Sequence, residues 1–333
     1  MQTTSLGIAN YCVPCRCDCR YCLLDSCRKA TGVDYRRGAQ FAERIDRELK
    51  AARPDISCHY YIGYCMDTPE LESYIRFCGQ RGYPGGKFLQ MNGLGFRDQT
   101  ALKNLMDMIH RCGVQMIDLT IYGTREYHDA FAGRKGDFDC LLRMADAAGE
   151  AHIPIHFSLP LTRENKDQAD ELLSILSAVP LSELAFFLPH SKGRGRTLMN
   201  ERLTKSDYEA LSELVRARFR KTPLLTEAEW LAENDFPSYQ ERSLVLVLNP
   251  EEMDRLENMR GEEVLRFLEA LDDQYLSVMP SPLELAQRYG DRHNDQMFRR
   301  RDLLLKWKQQ YITETHSNIW DMDDETHHFV VHR

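Results

Sequence analysis

"RDQTALKNLMDMIHRCG" (97–113), followed at once by "QMIDLTIYG" (115–123), decides the fold. An amphipathic helical pattern runs into a short apolar stretch closed by a glycine, a helix feeding a strand. The same alternation extends outward in both directions. Strand patterns occur at "SLGIANY" (5–11), "SCHYYIG" (57–63), "KFLQMNG" (87–93), "IPIHFSLPL" (153–161) and "ELAFFLPH" (183–190). Between them lie helical patterns such as "RRGAQFAERIDRELKAA", "PELESYIRFCGQ", "DFDCLLRMADAAGEA" and "NKDQADELLSILSAV". Strands alternating with helices imply parallel pairing through crossover helices. Six such units form either an incomplete (β/α) barrel or an open doubly wound sheet. In both, a ligand site belongs at the C-terminal ends of the strands.

The texture changes after residue 200. "LTKSDYEALSELVRARF", "PEEMDRLENMRGEEVLRFLEAL" and "NDQMFRRRDLLLKWKQQYI" read as helices, while "RSLVLVLN" and "HHFVVH" read as short strands. A soft boundary therefore divides residues 1–203 from an α-rich region, 204–333, expected to cap the first part and shape its pocket. The 333 residues carry 43 Lys and Arg against 51 Asp and Glu, a net charge of −8. That balance argues against clamping nucleic acid. No apolar run approaches the roughly 20 residues that cross a bilayer, and the first residues lack the pattern of a secretory signal. A reducing cytoplasm is the expected location.

All eleven cysteines lie at or before Cys140, and five of them crowd into "YCVPCRCDCRYC" (11–22). Bridges of a disulfide framework would spread over the whole chain, so metal ligation is the better account. Within the run, Cys15, Cys19 and Cys22 are spaced C-x3-C-x2-C. Three readings compete. A buried helical stripe shares the spacing, but Pro14 and the charged Arg16, Asp18 and Arg20 oppose it. Zinc wants paired knuckles and a fourth ligand, and no second knuckle follows. Three thiolates on an iron–sulfur cubane leave one iron open to an outside ligand.

"CRCDCRYC", with Tyr21 just before its last cysteine, resembles the cluster motif of the radical S-adenosylmethionine (radical SAM) superfamily. The likeness covers about residues 5–200; Cys12 and Cys17 are surplus to it. It implies an α/β fold, a partial (β/α)6 TIM-like barrel with a mostly helical C-terminal extension. It also implies one [4Fe-4S] cluster on Cys15, Cys19 and Cys22, whose spare iron binds S-adenosyl-L-methionine. An electron from a reductant such as flavodoxin or ferredoxin then cleaves the sulfonium, and the 5′-deoxyadenosyl radical takes hydrogen from a substrate.

The resemblance carries over position by position. "IGYCMDTPE" stands where the family has its glycine-rich turn for the methionyl amino group, so Gly63, Tyr64 and Cys65 become cofactor contacts and Asp67 a substitute for the family's glutamate. Cys65 is also a candidate hydrogen-atom donor. "LTIYG" places Thr120 and Tyr122 at the cofactor's ribose or carboxylate. "HDAFAGRKGDFD" reads as the loop whose arginine, Arg134, meets that carboxylate bidentately. Asn165 falls near the adenosyl group or caps a helix, and Leu188 in "FFLPHSKGRGR" flanks the adenine.

Cys58, Cys78, Cys112 and Cys140 read as small buried hydrophobes. No cysteine follows Cys140, so a single cluster is expected. Asp321, Asp323, Asp324, His327, His328 and His332 read as an acidic turn entering an edge strand rather than a metal site. The basic stretch 298–308 reads as a solvated helix face beside a Leu/Trp stripe. The substrate expected is a ribosomal peptide or natural-product precursor; the alternatives are a small metabolite or cofactor precursor, and, in another class, a non-catalytic cluster-binding scaffold.

Overall fold

A computed structural model describes residues 1–10, 15–23, 32–62, 67–180, 183–219, 221–315, 322 and 329–333. Six strands come from the first part: β1 (Gln2–Asn10), β2 (Ser57–Ile62), β3 (Phe88–Gln90), β4 (Met116–Thr120), β5 (Ile155–Pro160) and β6 (Glu183–Phe187). Helices α1 (Tyr35–Ala52), α2 (Leu71–Arg81), α3 (Gln99–Arg111), α4 (Arg125–Ala132), α5 (Asp137–Glu150) and α6 (Ala169–Leu176) lie between them. Local chemistry starts several of these. Asp34 caps α1 by accepting from the Arg36 and Arg37 amides, and Asp98 caps α3 by accepting from the Ala101 amide at 2.8 Å.

Strands β3–β6 form one parallel sheet in sequence order, and β1 pairs β2 in parallel in a second sheet. Alternation along β4 and β5 sorts the side chains. Ile117, Leu119, Ile155, Phe157 and Leu159 are at most 1% exposed and share one core with Leu102, Met106 and Ile109 of α3. Burying each such side chain stabilises the fold by about 1.5–3 kcal/mol. Asp118, Thr120, His156 and Ser158 alternate with them and so face the opposite, inner side. The architecture is that of a partial TIM-like barrel with a mostly helical C-terminal part.

That later part contains α7 (Lys205–Ala210), α8 (Glu213–Arg216), β7 (Leu225–Thr226), α9 (Glu227–Glu233), β8 (Glu241–Leu248), α10 (Pro250–Leu256) and α11 (Gly261–Leu276). It ends with α12 (Pro282–Tyr289), β9 (Met297–Phe298), α13 (Arg300–Thr315) and β10 (Phe329–His332). Strand β8 pairs in parallel with β1, from Gln2↔Glu241 to Asn10↔Leu248, and β10 closes that edge antiparallel. The short strand read at "RSLVLVLN" therefore extends the barrel sheet. Two stretches expected as single helices are each broken in two. Leu211 is extended between α7 and α8, where Ser212 caps the new turn, and α10 and α11 are separated at 257–260.

Candidate active site

The cysteine loop follows β1 and sits at the C-terminal ends of the strands. Backbone bonds fasten it to its neighbours: the Arg16 amide donates to Gly93 O at 3.0 Å, Asp18 to Ala132 O at 2.8 Å, and Arg20 to Phe131 O at 2.9 Å. Arg20 also reaches Glu164 and Glu201, each at 2.7 Å, spanning from the loop to the far wall. Gly93 has φ +76°, and a Cβ there would overlap the Cys15 sulfur. Only glycine leaves room for that thiol to stand over β3's end. On the other side a Cβ at Gly195 would lie 2.9 Å from the Tyr21 ring.

The thiols interact with one another. Hydrogen bonding with Cys17, then burial, pushes the Cys15 thiol well above its ordinary range. The bond with Cys15 favours the Cys17 thiolate, but Cys19 and burial together push Cys17 up as well. Crowded thiols resist ionising beside one another, and a bound cationic centre reverses that logic. Among the described residues no three His, Cys, Asp or Glu side chains gather tightly enough to hold a single metal ion. The soft donor set and the space kept by Gly93 fit an iron–sulfur cluster.

Buried polar groups line the loop's base. Cys17 is buried with its sulfur 3.7 Å from Asp137 Oδ2. The same carboxylate is 3.1 Å from His128 Nε2, and Asp137 Oδ1 accepts from Arg134 Nη1 at 3.1 Å. His128 Nδ1 accepts from the Tyr122 amide at 3.1 Å, and its ring stacks on Tyr122. The Tyr122 phenol is pushed up first by burial and then by the charge of Cys19. Opposite, Asp67 accepts from the Gly95 amide at 3.0 Å and from Arg97. Burial alone would raise the Asp67 carboxyl, yet Arg97, Gly95 and Arg16 hold it below the usual carboxylate range.

Tyr21 is buried, its hydroxyl accepting from the His190 amide at 3.0 Å. Thr120 ends β4, where Asn92 accepts from its amide at 2.7 Å and donates to its carbonyl at 2.8 Å. Arg134 stacks on Phe96 at 3.8 Å and lies in the four-residue connection, 133–136, between α4 and α5, because 125–132 is helical rather than loop. Its fork is thus partly engaged by Asp137. Asn165 stands at the N-cap position of a short helical turn, 166–168, but its side chain makes no capping bond: it donates to Tyr122 O and Pro160 O and accepts from the Thr162 amide, clamping two strand ends. Leu188 is buried and its carbonyl accepts from Arg299 at 2.9 Å. Cys58, Cys78 and Cys140 are buried; burial pushes the Cys58 and Cys78 thiols up to about 12. Gly63, Tyr64, Cys65, Cys12, Cys27 and the acidic and histidine residues 321, 323, 324, 327 and 328 lie outside the described residues.

Several contributors escaped the sequence reading. Asn92 follows β3 and has no pattern to mark it. His156 Nδ1 stands 3.0 Å from Asp118 Oδ1 on the barrel's inner face, while its buried Nε2 has no hydrogen-bond partner among the described residues. The alternation of β4 and β5 was the signal that could have paired them. Arg299 and Asp302, read as part of a solvated face, are 13% and 1% exposed and engage the loop after β6.

No protein-family model matches the sequence. The chain is 26% identical over 155 residues to an Fe-coproporphyrin III synthase of Methanosarcina barkeri, an alignment covering 46% of this chain and 36% of that one. The chain thus matches about a third of that curated relative's length. Among solved structures, Streptococcus suis SuiB bound to precursor peptide SuiA superposes with a TM-score of 0.50 at 13% identity. The superposition covers 73% of this chain and 58% of SuiB. At a TM-score of 0.38, the Escherichia coli coproporphyrinogen III oxidase HemN, a radical SAM enzyme, aligns over 65% of this chain and 50% of that one. That last superposition is too loose to argue from. The SuiB likeness establishes the fold.

Proposed function

We propose that the protein is a radical SAM enzyme in which Cys15, Cys19 and Cys22 hold a [4Fe-4S] cluster. The observation that carries this reading is a three-thiol loop seated over the C-terminal ends of parallel strands, with a glycine keeping its first sulfur clear. Held by Cys15, Cys19 and Cys22, such a cluster with S-adenosylmethionine would supply one-electron cleavage of the sulfonium and, through it, hydrogen abstraction from a substrate. The chain's own residues bind, orient and shield. Thr120 offers a hydroxyl at the mouth, Arg134 a guanidinium for a carboxylate, and Leu188 an apolar flank for the adenine. Gly63, Tyr64 and Cys65 complete the methionyl end. Tyr122 and Tyr21 back the loop with buried aromatic surface that excludes water. A flavodoxin or ferredoxin is the proposed reductant.

A peptide precursor is the proposed substrate; the SuiB structure, with its bound precursor peptide, supports it. The curated relative favours a second reading, a cofactor precursor related to the porphyrin its name describes. Anaerobic preparation with iron and sulfide analysis, followed by addition of S-adenosylmethionine and dithionite, tests the reaction class. Iron-bearing protein that releases 5′-deoxyadenosine is expected. Zinc in place of iron, or no 5′-deoxyadenosine from fully loaded protein, overturns the reading. A short precursor peptide encoded beside the gene separates the first substrate from the second.

A further inference from the structure

The segment that follows β6 is gripped from both sides. On its outer side lies an ionic network in which Arg299 and Asp302 come from more than a hundred residues downstream and Arg202 from just after the segment. Arg299 donates to Leu188 O at 2.9 Å and to Asp302 Oδ2 at 2.6 Å, and it also contacts the His190 ring. Arg202, fully buried, donates to Pro189 O at 2.5 Å and to Met297 O at 3.0 Å. The Ser191 amide donates to Asp302 Oδ1 at 3.4 Å. Three backbone positions between 188 and 191 are thus met by charged side chains that are buried or nearly so, where such bonds are strong.

On its inner side the same segment rests on the cysteine loop. The His190 amide donates to Tyr21, the Arg194 amide donates to Cys22 O at 2.9 Å, and the Arg194 guanidinium donates to Asp18 and to Cys19 O. Gly195 lets the backbone close on the Tyr21 ring. Neither face leaves the segment freedom to settle elsewhere. A shift of Arg299 moves the Leu188 end and the seat of Cys19 and Cys22 together.

We propose that Arg299, with Asp302 and Arg202 behind it, is a positioning residue through which the C-terminal region sets the affinity for S-adenosylmethionine. It acts by holding residues 188–195 against the cysteine loop, and the inference rests on the radical SAM reading above. Among the described residues, Arg299 makes no hydrogen bond or ion pair to Cys15, Cys19 or Cys22, and its one bond to a proposed cofactor contact is to the Leu188 carbonyl.

The test uses reconstituted full-length protein and S-adenosylmethionine itself as the probe. Wild type, Arg299→Met and Arg299→Lys are compared for iron content, melting temperature, cofactor Kd and the electron paramagnetic resonance change on cofactor addition. Arg299→Met is expected to keep its iron while Kd rises about tenfold, the spectral change requiring correspondingly more cofactor. Arg299→Lys keeps one donor but not the planar fork, so an intermediate Kd, raised about threefold, is expected. An unchanged Kd in Arg299→Met, with only a lowered melting temperature, overturns the proposal and leaves the enzyme reading intact. Should Arg299→Met lose its cluster, Arg299→Lys decides by the same Kd comparison. Wild-type protein that loads iron yet fails to bind the cofactor overturns both.

Discussion

Gly93 concentrates the residue-scale argument. Its positive φ and the sulfur lying where a Cβ would stand make it a position that no other residue fills without displacing Cys15. Gly93→Ala is expected to destabilise the fold by about 1–3 kcal/mol and to lower bound iron per chain, read by urea unfolding and iron analysis. The cysteines divide by environment. Alanine at Cys15, Cys19 or Cys22 is expected to abolish the cluster. Cys17→Ala leaves it, because Cys17 is buried against Asp137 rather than presented at the mouth. The measurement is iron and sulfide per chain with the visible spectrum, and a cluster lost in Cys17→Ala would reassign the ligands. Residue types with distinctive chemistry, cysteine above all, were legible in the sequence. Asn92 and His156 were not, since amides and imidazoles acquire meaning only from what lies across the sheet.

At the scale of elements, the six strand–helix repeats were readable because burial on one face imposes a period that local sequence must obey. Departures occurred where a few hydrogen bonds competed with that period. The stretch 205–216 carries a helical pattern, yet Ser212 turns to accept from the Val215 amide, and the helix restarts there. Helix α4 was read as loop because its eight residues end at Gly133, too short for a periodic signal. Beyond the backbone pairing of β3 and β4, Asn92 fastens the end of β4 with two bonds to the Thr120 backbone. Asn92→Ala is expected to cost about 1–3 kcal/mol, since it strands a partly buried amide and carbonyl. Hydrogen exchange should report faster opening at the Thr120 amide than in the wild type. An unchanged rate would show that β4's end is held by its other neighbours.

Over the whole molecule, charge brought in from distant sequence packs against the segment after β6. Burial alone would raise the Asp302 carboxyl, but Arg299, His190 and Arg202 hold it well below the usual carboxylate range. Burial in turn lowers the Arg202 guanidinium to about 10, against the pull of Asp302. A depressed carboxyl contributes its stability above the unfolded-state value of 3.8 and loses it only as pH falls through the lower folded value. Asp302→Asn is therefore expected to lower stability by about 3–5 kcal/mol at neutral pH, leaving two buried cations without their partner. From about pH 5, where an ordinary imidazole such as His190 is already protonated, down to about pH 4 the gap between mutant and wild type should stay constant, and it should shrink only below that. Urea unfolding across a pH series measures this; a gap that closes between about pH 5 and 4 would mean that another group carries the dependence.

The sequence by itself determined the alternation of strands and helices and the presence of a thiol-rich loop, and it raised the expectation of a ligand site at the strands' C-terminal ends. Those features follow from the period of burial and from the chemistry of single residue types, both local properties of a chain. Tertiary structure alone decided that β8 joins β1 to extend the sheet, that Asp118 meets His156, and that Arg299 holds the segment after β6. Each joins residues separated by tens or hundreds of positions, and no local pattern encodes a partner whose identity depends on which surfaces the packed core brings together.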